Sequence, residues 1–273
     1  MKFLEKVLGL YISSSIHVAL AVVSLSLISL LEFGLAIDIN LLAFIFLATI
    51  TGYNFVKYSG VAKLHHISLT RNLRFIQVFS LICFLLLVYF SFLQEAEVIY
   101  VAITMGLLTA FYTLPILKGG LNLRNLEGVK IFIIAFVWAG TTAVMPLITE
   151  NVAAADVILI FFQRLLFIVA LTLPFEIRDV RFDDVSLGTI PQQLGVKNTK
   201  RLGFILLAGM CFLEIFKSQF SVVNLWAMVL AALISGIFIK KARTHQHEYY
   251  SSLWVEAVPI YWLGIWLVIH YWI

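Results

Sequence analysis

Glu176, Asp179 and Asp183 are the residues of this sequence best suited to chemistry. Together with Asp184 they place four of the chain's 15 acidic residues in the short stretch 176–184, at the end of a long apolar run. At about 100° per residue, the spacing i, i+3, i+7 puts the first three within about 60° of one helix face. Carboxylates held that close repel one another, and near a hydrocarbon layer water screens them poorly. A cation must offset the repulsion. Mg²⁺ suits such a cluster, because it takes one or two carboxylates and completes its shell with water and phosphate oxygens. The alternative is a solvated loop in which Arg178 and Arg181 are the internal partners.

The elements that must position these residues are membrane helices. The chain has 273 residues, of which 62% are hydrophobic and 12% charged, with a mean hydropathy of +1.01. Runs of that character cross a hydrocarbon core of roughly 30 Å as helices. The pattern predicts an all-α integral membrane protein with nine spans, near 10–31, 39–57, 74–92, 98–117, 128–148, 155–177, 201–216, 222–240 and 252–272. The loops between them are short, so residues 1–273 form a single transmembrane domain. Of the 19 Lys and Arg residues, 17 fall at alternate ends of these spans, all on one side. The positive-inside rule then makes the N-terminus cytoplasmic and predicts a multi-pass protein of the cell (cytoplasmic or inner) membrane. The net charge of +4 is juxtamembrane and calls for no nucleic-acid partner. Cys83 and Cys211 lie within spans and have neither a disulfide pattern nor a metal-binding one.

The segment "RDVRFDDVSLGTIPQQLG" resembles the second Asp-rich motif of the UbiA superfamily of intramembrane prenyltransferases. Glu176, Arg178, Asp179, Asp183, Gly188, Ile190, Pro191, Leu194 and Gly195 stand in register with it. "FYTLPILKGGLNLRN" (111–125) and "AFVWAGTTAVMPLI" (135–148) are similar to that family's loop after its fourth span and to its fifth span. The resemblance implies a nine-helix UbiA-like bundle with chemistry at the cytoplasmic leaflet, on an isoprenyl diphosphate or related lipid. It further implies Asp179 and Asp183 as catalytic residues, and Glu176, Asp179 and Asp183 as metal ligands. Asn54, Tyr112 and Lys118 carry over as cavity-mouth residues, and together with Lys57 and Arg178 they are read as substrate-binding.

The family's first Asp-rich motif is missing. Where it belongs, the chain reads "YNFVKYSGVAKLHH", with Phe55, Tyr58 and Ala62 in the acidic positions, and residues 39–94 contain no Asp or Glu. At most one Mg²⁺ site survives. Lys57, facing the second motif, is expected to approach Asp179 or Asp183 and stand where a metal would. Two functions follow from that. Lysines grip a diphosphate directly in a divergent prenyltransferase, or they neutralise the acids of a non-catalytic protein that binds an isoprenoid lipid or a membrane partner. Deeper in the spans lie Gln163, Arg164, Glu214 and Glu256, and Arg164 with Glu214 or Glu256 forms a plausible interior pair.

Overall fold

Within hydrocarbon a backbone has no water to bond, so the apolar runs must satisfy their own N–H and C=O groups as helices. A computed structural model describes residues 2–58, 71–115 and 122–272, and every regular element among them is helical. In chain order these are α1 (Lys2–Ser13), α2 (Ile16–Glu32), α3 (Ile39–Tyr58), α4 (Arg71–Ser91) and α5 (Ala96–Thr113). Then come α6 (Lys130–Ala139), a π-helical turn (Gly140–Val144), α7 (Met145–Leu147) and α8 (Ala154–Asp179). The chain ends with α9 (Ile190–Leu213), α10 (Val222–Lys241), a second π-turn (Tyr250–Val255) and α11 (Val258–Trp272).

Seven of the described helical stretches are long and apolar enough to cross a membrane, and there are eight if the bent pair α1/α2 counts as one span. Two expectations change. The run expected as one span at 10–31 is broken at Ser14–Ser15, where α1 and α2 meet at 56°. Ser15 has a φ of 65°, a left-handed conformation that costs a non-glycine residue energy and needs its surroundings to hold it. The short span expected at 201–216 belongs to α9. Lys197, Lys200 and Arg201 fill the earlier turns of α9, so its apolar part is short, and α9 is not among the qualifying helices.

Helix α8 is the hub, packed against α6, α9 and α10. Its Phe167, Ile168 and Leu173 share one core with Val22 and Leu25 of α2 and with Val258 and Trp262 of α11. Helices α4 and α5 are peripheral: only 11% of each spanning window is buried inside the protein, so most of their apolar surface faces outward.

Apolar burial discriminates little between protein and lipid, and the bundle is tied by polar groups as well. Lys217 Nζ lies 2.9 Å from Glu32 Oε2 and 2.7 Å from Glu214 Oε2. Arg164 reaches Glu32 Oε1 at 3.6 Å and lies 4.4 Å above the Trp262 ring. Gln163 donates to Glu214 at 2.8 Å. Arg164 therefore pairs with Glu32 inside a cluster that also holds Glu214, about 18 Å along α8 from Glu176. Glu256 is elsewhere, within electrostatic reach of Lys57 and Arg178.

Candidate functional site

Two helix ends build the site. Glu176 and Asp179 lie in the last turn of α8, the negative end of that helix's dipole, and Lys130 is the first residue of α6, the positive end of its own. Each charge is misplaced on its own helix and well placed against the other. Lys130 Nζ lies 3.0 Å from Glu176 Oε1 and 3.6 Å from Asp183 Oδ2. The Glu176 side chain is only 6% exposed and Lys130 19%, so the pair is largely out of water.

Asp183 is not on the helix face that its spacing suggested. Helix α8 ends at Asp179, and the turn that follows is closed by the Asp183 N–H donating to the Asp179 carbonyl at 2.9 Å. That turn carries Asp183 back to Lys130. Asp179 has a different partner: Arg178 grips it through two bonds, Nε to Oδ1 at 2.7 Å and NH2 to Oδ2 at 3.1 Å. Bidentate pairing of this kind is among the stronger charge-assisted contacts.

The run after the acids explains itself locally. Gly188 supplies a positive φ of 49° for the turn, the Thr189 N–H donates to the Gln192 side chain at 2.8 Å, and Pro191 sits in the first turn of α9, where a missing N–H is harmless. Gly128 donates to the Leu187 carbonyl at 3.0 Å, which ties the approach to α6 onto this loop. Lys130 is thereby held beside the acids by backbone as well as by charge.

The first-motif positions do something else. Lys57 does not reach Asp179 or Asp183. It donates to the Ile12 carbonyl at 3.2 Å and to Ser15 Oγ at 2.9 Å. Asn54, 3% exposed, accepts from Ser15 Oγ at 2.8 Å and donates to the Ser14 carbonyl at 3.1 Å and to Ser80 Oγ at 2.8 Å. Tyr58 donates to the Ser13 carbonyl at 2.9 Å. These three side chains clamp the break between α1 and α2. The Lys57–acid pairing expected from sequence is replaced by Lys130, whose position at the start of a span looked like ordinary positive-inside placement. Lys118, and with it Lys63, His65 and His66, lies outside the described residues.

Between α2, α3, α4, α5 and the α6–α7 segment lies an apolar cavity of about 480 Å³. Tyr53, Tyr112 and Trp138 line it, and Trp138 donates to the Tyr53 hydroxyl at 2.5 Å. Tyr112 marks its polar end, within electrostatic reach of Arg124, Lys130, Glu176 and Asp183.

No family model matches the sequence, and no curated protein shows significant similarity to it. Its architecture does match solved structures. The apo structure of a UbiA homolog from Aeropyrum pernix K1 aligns over 94% of this chain and 98% of its own, with 15% identity and a TM-score of 0.66. The chain has a UbiA-type fold. A structure described for digeranylgeranylglyceryl phosphate synthase in membranes aligns over 98% of both chains, with 17% identity and a TM-score of 0.58.

The metal site that the resemblance implies can be tested on the side chains. Mg²⁺ requires near-octahedral oxygen ligands at about 2.0–2.1 Å. Among the described residues no group of three His, Cys, Asp or Glu side chains is placed to hold a metal ion. Glu176 and Asp183 share an ammonium, and Asp179 is closed by a guanidinium. As they stand, these carboxylates fit Lys130 and Arg178 rather than a divalent cation.

Proposed function

We propose that this multi-pass membrane protein is a divergent intramembrane prenyltransferase that binds an isoprenyl diphosphate. The tail lies in the apolar cavity, and the head group lies at the Lys130 end, the expected cytoplasmic side. One observation carries the reading: the 480 Å³ apolar cavity runs from its aromatic walls to Tyr112, beside a cluster of opposed charges, within a UbiA-type bundle. The solved neighbour described as a digeranylgeranylglyceryl phosphate synthase supports an isoprenoid substrate class.

The scheme is as follows. The allylic C–O bond breaks with its electron pair leaving on the diphosphate, and Lys130 and Arg124 face the charge that develops there. Tyr53, Tyr112 and Trp138 present π-faces to the allylic cation. An electron-rich atom of the acceptor then bonds to the allylic carbon and loses a proton. Asp183, the more loosely held of Lys130's two partners, is the carboxylate placed to take it. Asp179 acts through Arg178, orienting the guanidinium toward the head group.

A second reading is favoured by a specific observation. The Lys130 ammonium lies against both Glu176 and Asp183, which is what a neutralised, non-catalytic isoprenoid-binding protein would need. Calorimetry with geranylgeranyl diphosphate, with and without Mg²⁺, alongside an assay of diphosphate release in the presence of candidate acceptors, separates the two. Release by the wild type that is lost in a Lys130→Ala variant shown by thermal unfolding to be folded supports the transferase. Binding without release supports the second reading, and no binding overturns both.

A further inference from the structure

The α5 wall of the cavity carries a methionine. Met105 lies roughly midway along that wall, with Thr109 and Tyr112 toward the Lys130 end and Ala102 toward the other. From Tyr112 to Ala102 the wall extends about 15 Å along the helix axis. The Met105 thioether rests on Gly140, the first residue of the π-turn that interrupts the α6–α7 segment. A Cβ added at Gly140 would lie 2.5 Å from Met105 Sδ, closer than real Cβ atoms approach, and 3.0 Å from its Cε, so the thioether would have to shift. The methionine occupies its position only because residue 140 has no side chain.

The surrounding backbone favours such a seat. A π-turn widens the helix by one residue and shifts the register of the side chains that follow, a feature that recurs at functional sites. Here the residues that follow include Thr141 and Met145, both also in the cavity wall. Methionine is the side chain best able to change shape to fit a flexible apolar guest, because its three torsions are soft and it has no branch.

We propose that Met105, seated on Gly140, sets how far an isoprenyl chain enters the cavity, and that the pair thereby selects chain length. The inference rests on the isoprenyl-diphosphate reading above and deepens it. A short chain stops at the thioether. A longer one must displace it or leave sideways between α4 and α5.

The two residues predict opposite shifts. Met105→Ala removes the crossbar and opens the far half of the cavity, so longer chains gain. Gly140→Ala leaves the methionine intact but pushes it from its seat into the cavity it lines, so longer chains lose. The experiment measures the affinities of geranyl, farnesyl and geranylgeranyl diphosphate for full-length wild type and both variants in one detergent. Thermal unfolding confirms that each variant is folded. The expected result is a geranylgeranyl-to-farnesyl affinity ratio that rises roughly tenfold in Met105→Ala and falls comparably in Gly140→Ala, the scale that pocket complementarity to a few carbons supplies. If one variant fails to fold, the other still decides, because each predicts a signed change. Ratios that stay at the wild-type value in a folded variant overturn the gate while leaving the isoprenyl reading intact. If wild type binds none of the three probes, the isoprenyl reading falls first and the gate falls with it.

Discussion

The ends of α3 and α8 both gather charged and polar side chains, yet these side chains satisfy opposite needs. At the end of α8 acids are held by protein cations: Lys130 against Glu176 and Asp183, and Arg178 against Asp179. At the end of α3 no acid remains, and Asn54, Lys57 and Tyr58 turn away toward the α1/α2 break. The difference follows from what each region must satisfy. A broken helix leaves carbonyl oxygens without intrahelical partners, and only donors can satisfy them. Lys57, Tyr58 and the Asn54 amide are donors, whereas carboxylates in their place would face the carbonyls of Ile12, Ser13 and Ser14 as like charges. The donors at the end of α3, in a stretch without acids, and the break at Ser14–Ser15 thus fit one another.

The comparison breaks most visibly at Lys130. Lys130→Met should strand Glu176 in a site that is 6% exposed, and breaking a buried pair from one side costs about 3–5 kcal/mol. Lys130→Met combined with Glu176→Gln should recover much of that loss. Chemical unfolding of the two singles and the double in detergent reads it directly. If Lys130 has taken the metal's place, Mg²⁺ alone should leave the wild-type unfolding temperature unchanged. A cost below about 1 kcal/mol for Lys130→Met, or a clear rise in unfolding temperature with Mg²⁺ in the wild type, would restore the metal to the acidic half.

The second effect is smaller and lies in the other half. Asn54→Ala removes a buried side chain with three hydrogen bonds and leaves the Ser14 carbonyl without that donor. A cost of about 1–3 kcal/mol is expected, with the affinity for geranylgeranyl diphosphate unchanged in the protein that remains folded. The resemblance had placed Asn54 at the cavity mouth as a substrate-binding residue. A loss of affinity without a loss of stability would return it there.

How legible this was from sequence differs in the same way between the two halves. Hydropathy located the seven qualifying spans, and an eighth if the bent pair α1/α2 is one. The helix spacing of Glu176, Asp179 and Asp183 did not survive, because α8 ends at Asp179 and a turn carries Asp183 to Lys130. Lys130 was not legible, because a lysine at the start of a membrane helix is the commonest placement there is. Only the meeting of α6 with α8 distinguishes it from Lys240 or Lys2. The bend at Ser14–Ser15 was hidden inside a continuous apolar run. Its one trace is the sequence Ser13–Ser14–Ser15, whose hydroxyls bond backbone carbonyls as readily in an intact helix. The seat of Met105 on Gly140 could not be read at all, because it depends on two helices meeting at one residue without a side chain.

The smallest effect tests whether the two halves are separate. Lys57 contacts Ile12 and Ser15, Asp179 contacts Arg178, and they share no direct partner. Lys57→Met should cost about 1 kcal/mol through its lost hydrogen bonds. Asp179→Asn should weaken the hold on Arg178, and the double mutant should be additive within about 0.5 kcal/mol. One route could carry coupling between them. Glu256 lies within electrostatic reach of both Lys57 and Arg178, so a charge lost at one end changes what Glu256 offers the other. That path is indirect at both steps, and its contribution should fall within the additivity limit. Adding Glu256→Gln to the cycle isolates it. Coupling above about 1 kcal/mol that disappears in the Glu256→Gln background would show that the clamp and the acidic cluster still act as one site through this carboxylate. Coupling of that size that persists there would mean that Lys57 meets Asp179 directly, and the division of the molecule into a clamp and a site would be wrong.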